Sequence, residues 1–343
     1  MQRVLSVCLL TALAPMAAAQ DLGVGDAAPA LHVAKWLKGE PIAEFAPGKI
    51  YVVEFWATWC GPCIASMPHL SELQRAHREH GVTIVGITTE DPNNSLAQAE
   101  AMVADKGDGM DYTVAWDDGG KTNAAWMKAA ERRGIPCSFV VDQHGKLAYI
   151  GHPMFLDLPL DGLLAGTWDA VAGTKKIDGA FQRMGKMTLE IGKAEDHGDA
   201  AVAAFLADFP MLAAAVEKTR FRALLQHGKF DPAYRAARVV VADAVAKKDP
   251  SGLNEVAWTI VDPEAEIAQR DLDLALEAAS KAVELSKAKD GAILDTLARV
   301  WFWKKDYSKA LELQKKAVAA SPREDLQAAL KEYEALVAEH GGQ

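Results

Sequence analysis

The segment Ile50–Cys63, IYVVEFWATWCGPC, constrains this chain more than any other. A β-branched and aromatic run bounded by Pro47-Gly48 has the composition of a buried strand, and it stops just before two cysteines at Cys-x-x-Cys spacing. From Cys60 to His80 the apolar spacing is helical, and Gly81 closes the helix as a C-cap. A strand that enters a helix through two thiols needs a sheet with that helix laid against it. The spacing brings both sulfurs within disulfide reach on the first helical turn. Cys60 falls among unpaired backbone N–H groups at the positive end of the helix dipole, where a thiolate is stabilised. Cys60 is therefore expected to be the exposed nucleophile with a depressed pKa. Cys63, one turn deeper, is expected to be the resolving thiol.

Strands and helices alternate around this segment. Weak strand patterns cover Leu31–Trp36 and Pro41–Phe45, and Val82–Thr88 (VTIVGIT) is a second buried strand. A helix is expected over Leu96–Asp105, a short strand over Tyr112–Trp116, and a helix over Lys121–Arg133 that Gly134-Ile135-Pro136 interrupts. Ser138–Asp142 and Lys146–Ile150, joined by Gln143-His144-Gly145, form a hairpin. The pattern specifies an α/β domain with a mixed central sheet and flanking helices over residues 20–165. Pro153, Pro159, Gly162, Gly166 and Gly173 then suggest a last short helix and a linker over 166–178.

Beyond Asp178 the β-branched alternation gives way to alanine-rich helical patterns, so residues 179–343 are expected to form an all-α domain. Aligning Ala275 with Ala310 gives a period of 35 residues and places Ala282 on Ala317. Leu297, Ala298, Trp301, Tyr307, Ala310, Ala317 and Pro322 take the large and small positions of a two-helix unit, and a looser copy starts near Phe221. This spacing resembles tetratricopeptide repeats. The copy starting near Asn254 carries an insertion, Asp262 to Arg270, and an irregular bundle is the alternative.

Residues 1–19 carry Arg3, an apolar run and small residues at Ala17–Ala19, the pattern of a secretory signal peptide. Their apolar run is shorter than the roughly 20 residues of a spanning helix. The protein is thus expected to be exported, to the periplasm, and soluble once they are removed. Cys8 leaves with them, and Cys60, Cys63 and Cys137 remain in a compartment where disulfides persist. Net charge is −10, and residues 20–168 hold 19 Asp and Glu against 11 Lys and Arg. An acidic chain without a basic run is a poor partner for nucleic acid. Zinc would need two further ligands beside the Cys-x-x-Cys pair, so no metal is expected. A purely structural disulfide would close a very small loop and contribute little.

Trp59-Cys60-Gly61-Pro62-Cys63, preceded by Phe55-Trp56-Ala57, resembles the active-site motif of the thioredoxin superfamily, and more closely its exported TlpA/ResA-like thiol-disulfide oxidoreductases. Pro68, Gly134-Ile135-Pro136, Phe139-Val140-Val141-Asp142 and Gly145 extend the likeness over about residues 22–165. The resemblance implies a thioredoxin-like domain and a cis peptide bond at Pro136, with the Ile135 backbone turned toward an incoming extended peptide. Trp59, Gly61, Pro62 and Ile135 are then expected to bind substrate, with Trp56 and Trp59 flanking the dithiol and shaping its rim. Glu54 matches a buried acidic residue of the family, whose raised pKa would let it help deprotonate Cys63; a solvent-reaching glutamate at the strand edge is the alternative. Cys137 departs from the family pattern and is either a packed apolar residue or a third redox thiol.

The resemblance further implies reduction of disulfides in exported proteins, with electrons from a membrane thiol donor of the CcdA/DsbD type and no bound cofactor. A thiol peroxidase would need Thr where Ala57 stands. A protein-binding adaptor, with the dithiol secondary, belongs to a different class of function. The helical half is expected to offer a surface to a protein partner. His69, His152, Trp301 and Trp303 are weaker candidates, more in keeping with surface or core positions.

Overall fold

The computed structural model describes residues 21–191, 193 and 196–340, so the expected signal peptide lies outside the described residues. The chain divides into two compact units between Asp178 and Gly179.

The first unit is built on a six-stranded sheet of β1 (Val33–Lys38), β2 (Ile50–Phe55), β3 (Val82–Thr88), β4 (Thr113–Asp117), β5 (Cys137–Val141) and β6 (Leu147–Gly151), in the order β1-β4-β3-β2-β5-β6. Strand β2 runs parallel to β3 and antiparallel to β5, with all six of its residues buried. A strand flanked on both edges and covered on both faces must be apolar throughout, which is why IYVVEF shows no alternation. Tyr51, Val53 and Phe55 join Val85, Ile87, Phe139 and Trp126 in one core cluster. The alternate residues, Val52 and Glu54, point to the opposite face, where α1 (Gly61–His77) buries Cys63, Met67, Leu70 and Leu73. The amide of Gln74 secures this helix to the sheet, donating to the Val82 carbonyl at 2.9 Å and accepting from Ile84 N–H at 2.7 Å. The helix gives way to one 3₁₀ turn, Arg78–His80, which Gly81 ends at φ 81°.

Three local expectations are corrected. Pro41–Phe45 is irregular chain and not a strand; Phe45 instead sets its ring 5.0 Å from Tyr51 and 5.8 Å from Trp126. The helix expected over Lys121–Arg133 is α3 (Lys121–Asn123) followed by a wider π turn, Ala124–Lys128, which brings consecutive Trp126 and Met127 both into the core. The stretch 166–178 is mostly helix, because α5 spans Ala170–Ile191. Asp169 caps its start by accepting from Val171 and Ala172 N–H at 3.0 and 2.9 Å. Gly173 is no breaker there: the Trp168 indole fills the space a side chain would need. Between β6 and that helix lies α4 (Asp157–Leu164). Helix α2 (Leu96–Lys106) starts at a capping box formed by Ser95 and Gln98.

The second unit is helical among its described residues: α6 (Asp199–Asp208), α7 (Ala213–Gln226), α8 (Phe230–Ala246), α9 (Pro250–Val261), α10 (Leu272–Leu285), α11 (Gly291–Trp303), α12 (Tyr307–Ala320) and α13 (Glu324–His340). Consecutive helices from α7 onward pack on one another, and α9 also meets α11. Asp271 and Asp306 cap α10 and α12 at equivalent places, while Ala275, Ala282, Ala310 and Ala317 are fully buried. The 262–270 insertion folds back: Arg270 donates to the Ala265 carbonyl at 2.7 Å and stacks its guanidinium 4.3 Å from the Trp303 ring centre. Trp303 thereby serves packing, its Nε1 donating to the Val261 carbonyl at 2.8 Å. Among the described residues no helix is long and apolar enough to cross a membrane.

Candidate active site

Strand β2 delivers the chain to the dithiol. Trp56 N–H still bonds to the Ile87 carbonyl at 3.1 Å, and the chain then turns, with Cys60 N–H donating to the Ala57 carbonyl at 3.1 Å. Cys60 is the N-cap of α1, and its Sγ accepts the Cys63 N–H at 3.2 Å. Pro62 sits in the first turn, where a missing N–H costs no hydrogen bond. A Cβ on Gly61 would meet nothing within 4 Å, so this glycine leaves the surface over the pair bare. Cys60 and Cys63 are joined in a disulfide, with their Cα atoms 5.2 Å apart.

In this oxidised form Cys60 does not stand exposed as expected: it is 3% accessible and Cys63 1%. The bond to Cys63 and the Cys63 N–H together draw its sulfur onto the helix's first turn. Trp59, by contrast, is 55% exposed, with its indole N–H held by Asp91 Oδ2 at 2.9 Å. The Ile135–Pro136 bond is cis, with Pro136 buried and Ile135 half-buried at the head of β5.

Glu54 pairs in register with Gly86 on β3 and Ser138 on β5. It is 1% accessible, and its Oε1 has no hydrogen-bond partner among the described residues. Trp56 Nε1, Tyr112 Oη and Ser138 Oγ are buried and unpartnered in the same way. Gly86 has no side chain because the face is occupied: a Cβ there would lie 3.0 Å from Trp56 Nε1 and 3.1 Å from Tyr112 Cε2. Desolvation, with no cation to offset it, pushes the Glu54 carboxyl up to about 8. The same burial, followed by the Glu54 charge, holds the Tyr112 hydroxyl well above its usual range.

Cys137 is free and buried on the other face of the sheet, opposite Phe55 in the β5 ladder and within the Phe139 and Ile150 cluster. Burial pushes its thiol up to about 12, with Arg132 lowering it and Glu54 raising it only secondarily. His69 contacts Asp157 at 3.0 Å, and His152 Nδ1 accepts the Met154 N–H at 3.2 Å; both have structural duties.

Sequence reasoning passed over Asn94. This side chain is 1% accessible and sits in the loop after β3. Its Oδ1 accepts from Thr58 N–H at 3.0 Å and Thr58 Oγ1 at 2.8 Å, while its Nδ2 donates to Thr88 Oγ1 at 2.9 Å and the Thr89 carbonyl at 2.6 Å. With the Asp91–Trp59 bond it fixes both residues that precede Cys60. The signal was present: a polar turn, Asp91-Pro92-Asn93-Asn94, follows the strand parallel to β2, so it must emerge at the same sheet end as the cysteines. Trp59 and Asp91 also line a groove of about 430 Å³, floored by Phe55, Ala57, Ile87 and Met127 and reaching Ile135.

The redoxin family profile matches residues 23–156. Protein FixW of Rhizobium leguminosarum is 31% identical over 156 residues, 44% of this chain and 71% of its own. The thiol:disulfide interchange protein HelX of Rhodobacter capsulatus is 36% identical over 132 residues, 37% of this chain and 68% of its own. The thiol-disulfide oxidoreductase ResA of Bacillus anthracis is 29% identical over 100 residues, 29% of this chain and 53% of its own.

Proposed function

We propose a direction, a substrate class and residue roles for this chain, which belongs to the TlpA/ResA-like thiol-disulfide oxidoreductases of the thioredoxin superfamily. It acts as a reductase of disulfides in exported proteins. The reduced enzyme attacks the substrate disulfide with the Cys60 thiolate, forming a mixed disulfide as the substrate's other sulfur leaves as a thiolate. Cys63 then attacks Cys60 Sγ, releasing the second substrate thiolate and leaving the enzyme disulfide. Two electrons pass to the substrate, and a thiol donor must return them. A membrane donor of the CcdA/DsbD type fits that need, with no bound cofactor.

The observation that carries the dithiol chemistry, whichever way the electrons run, is the N-cap position of Cys60, whose sulfur already accepts a first-turn N–H and so has a donor ready for its negative charge. The reducing direction rests on the likeness of the Gly61-Pro62 dipeptide and Ile135 to the reducing members of the family. Glu54 is suited to take the Cys63 proton during resolution, because a carboxyl at about 8 is near the ordinary thiol range. Trp59, Gly61, Pro62 and Ile135 frame the approach, and Pro136 sets the Ile135 backbone. The burial and high pKa of Cys137 favour packing over a third redox thiol.

Export through residues 1–19 to the periplasm belongs to the same reading. In residues 179–343, a tetratricopeptide-like array is supported by the equivalent aspartate caps and buried alanines 35 residues apart, Asp271 with Asp306, Ala275 with Ala310 and Ala282 with Ala317. Such an array would offer a protein partner a surface. Equilibrating the dithiol with glutathione buffers tests the direction. The proposal expects a potential at or below about −220 mV; one as oxidising as about −120 mV overturns it.

A further inference from the structure

The groove beside Trp59 has an apolar floor but a cationic rim of Lys128, Arg132 and Arg133, all exposed and all without an ion pair among the described residues. This is unlike its surroundings, since residues 20–168 carry 19 acidic against 11 basic side chains. The carboxylate that lines the groove, Asp91, is already engaged by Trp59 Nε1 at 2.9 Å and Asn93 N–H at 2.7 Å. Arg132 and Arg133 line this groove together with Ile135, the residue before the cis-proline. The cations therefore border the path between Trp59 and Ile135, where an extended chain reaching the dithiol would lie.

We infer that this groove selects disulfide-bearing extended segments that carry aspartate or glutamate close to the cysteine. An extended chain alternates its side chains between two faces, so apolar residues reach the floor while the intervening acids meet the rim. Arginine suits such carboxylates because its planar fork can bind both oxygens. The inference rests on the reductase reading: the enzyme dithiol becomes a disulfide as the peptide disulfide becomes two thiols.

The test uses pre-reduced full-length protein and three peptides identical except for Glu, Gln or Lys beside one cysteine, which is held in a mixed disulfide with 2-mercaptoethanol. The single-turnover rate is expected to fall from Glu to Gln to Lys, by about fivefold at each step at low ionic strength, the scale of a few exposed charge pairs. The spread should shrink toward unity near 1 M salt, where screening acts within about 3 Å. Arg132→Glu with Arg133→Glu should invert the Glu-to-Lys ratio, and Arg132→Gln with Arg133→Gln should bring it close to one. Equal rates for the three peptides, or a ratio that neither double substitution moves, overturns the inference and leaves the reductase reading intact. Failure of the reduced wild-type protein to reduce any of the three overturns both.

Discussion

Replacing Glu54 by glutamine should make the first unit more stable at neutral and alkaline pH relative to acid. The folded carboxyl titrates near 8 against an ordinary 4.5, so between these values the folded state holds a proton that the unfolded state has released. The unfolded state then binds fewer protons, and stability falls as pH rises, by up to about 1.4 kcal/mol per unit. Below 4.5 the penalty is absent, and above 8 it is complete. From pH 5 to pH 8 the wild type should lose about 3.5 kcal/mol from this group alone, less than the full slope over three units because both ends of the range lie near a midpoint. Glutamine has the same shape and no charge to lose, so E54Q should lack that slope. Cys137, the free thiol of the described first unit, reports its opening when urea unfolding is read by brief saturating thiol labelling. Subtracting the variant's curve from the wild type's cancels groups common to both. Differences that stay flat from pH 5 to pH 8 would show that burial does not hold this carboxyl neutral.

Other outcomes follow from the same contacts. Asn94→Ala strands the Thr58 N–H and should cost about 1–3 kcal/mol in unfolding free energy; a loss within error would mean that Thr58 needs no such clamp. Gly86→Ala must displace Trp56 or Tyr112 and should cost about 1–3 kcal/mol, measured by the same unfolding experiment. Cys137→Ala should leave the potential of the Cys60–Cys63 pair unchanged in glutathione titration, whereas a shifted potential would bring Cys137 into the redox chemistry.

Local patterns carried much of the first unit's fold. The run IYVVEFW, the helical spacing after Cys60, Gly81 and the Gln143–Gly145 hairpin each express rules acting over a few residues, and each element lies close to its expected bounds. Errors arose where a tertiary contact outweighed the local rule. Gly173 has the look of a breaker until the Trp168 indole is seen to occupy its missing side chain's place. Phe45 leaves a strand-like pattern to reach Tyr51 and Trp126, and two bulky core residues in succession widen the helix after Asn123. At the site, the cysteines, the glutamate and the cis-proline were legible because chemistry restricts the residue types there. Asn94 was not, since its partner Thr58 is 36 positions away and a lone asparagine is common in turns. The burial of Cys60 is not legible in the sequence, because helix position predicts charge stabilisation but not how the disulfide orients the sulfur.

The central claim, a stabilised thiolate at the tip of α1, is tested most directly by the pH dependence of iodoacetamide alkylation at Cys60 in the reduced protein, with Cys63 replaced by serine. A midpoint at or below about 7.5, with appreciable reaction at neutral pH, is predicted for a sulfur at a helix N-terminus. A midpoint at about 8.5 or higher, the behaviour of an ordinary thiol, contradicts the account.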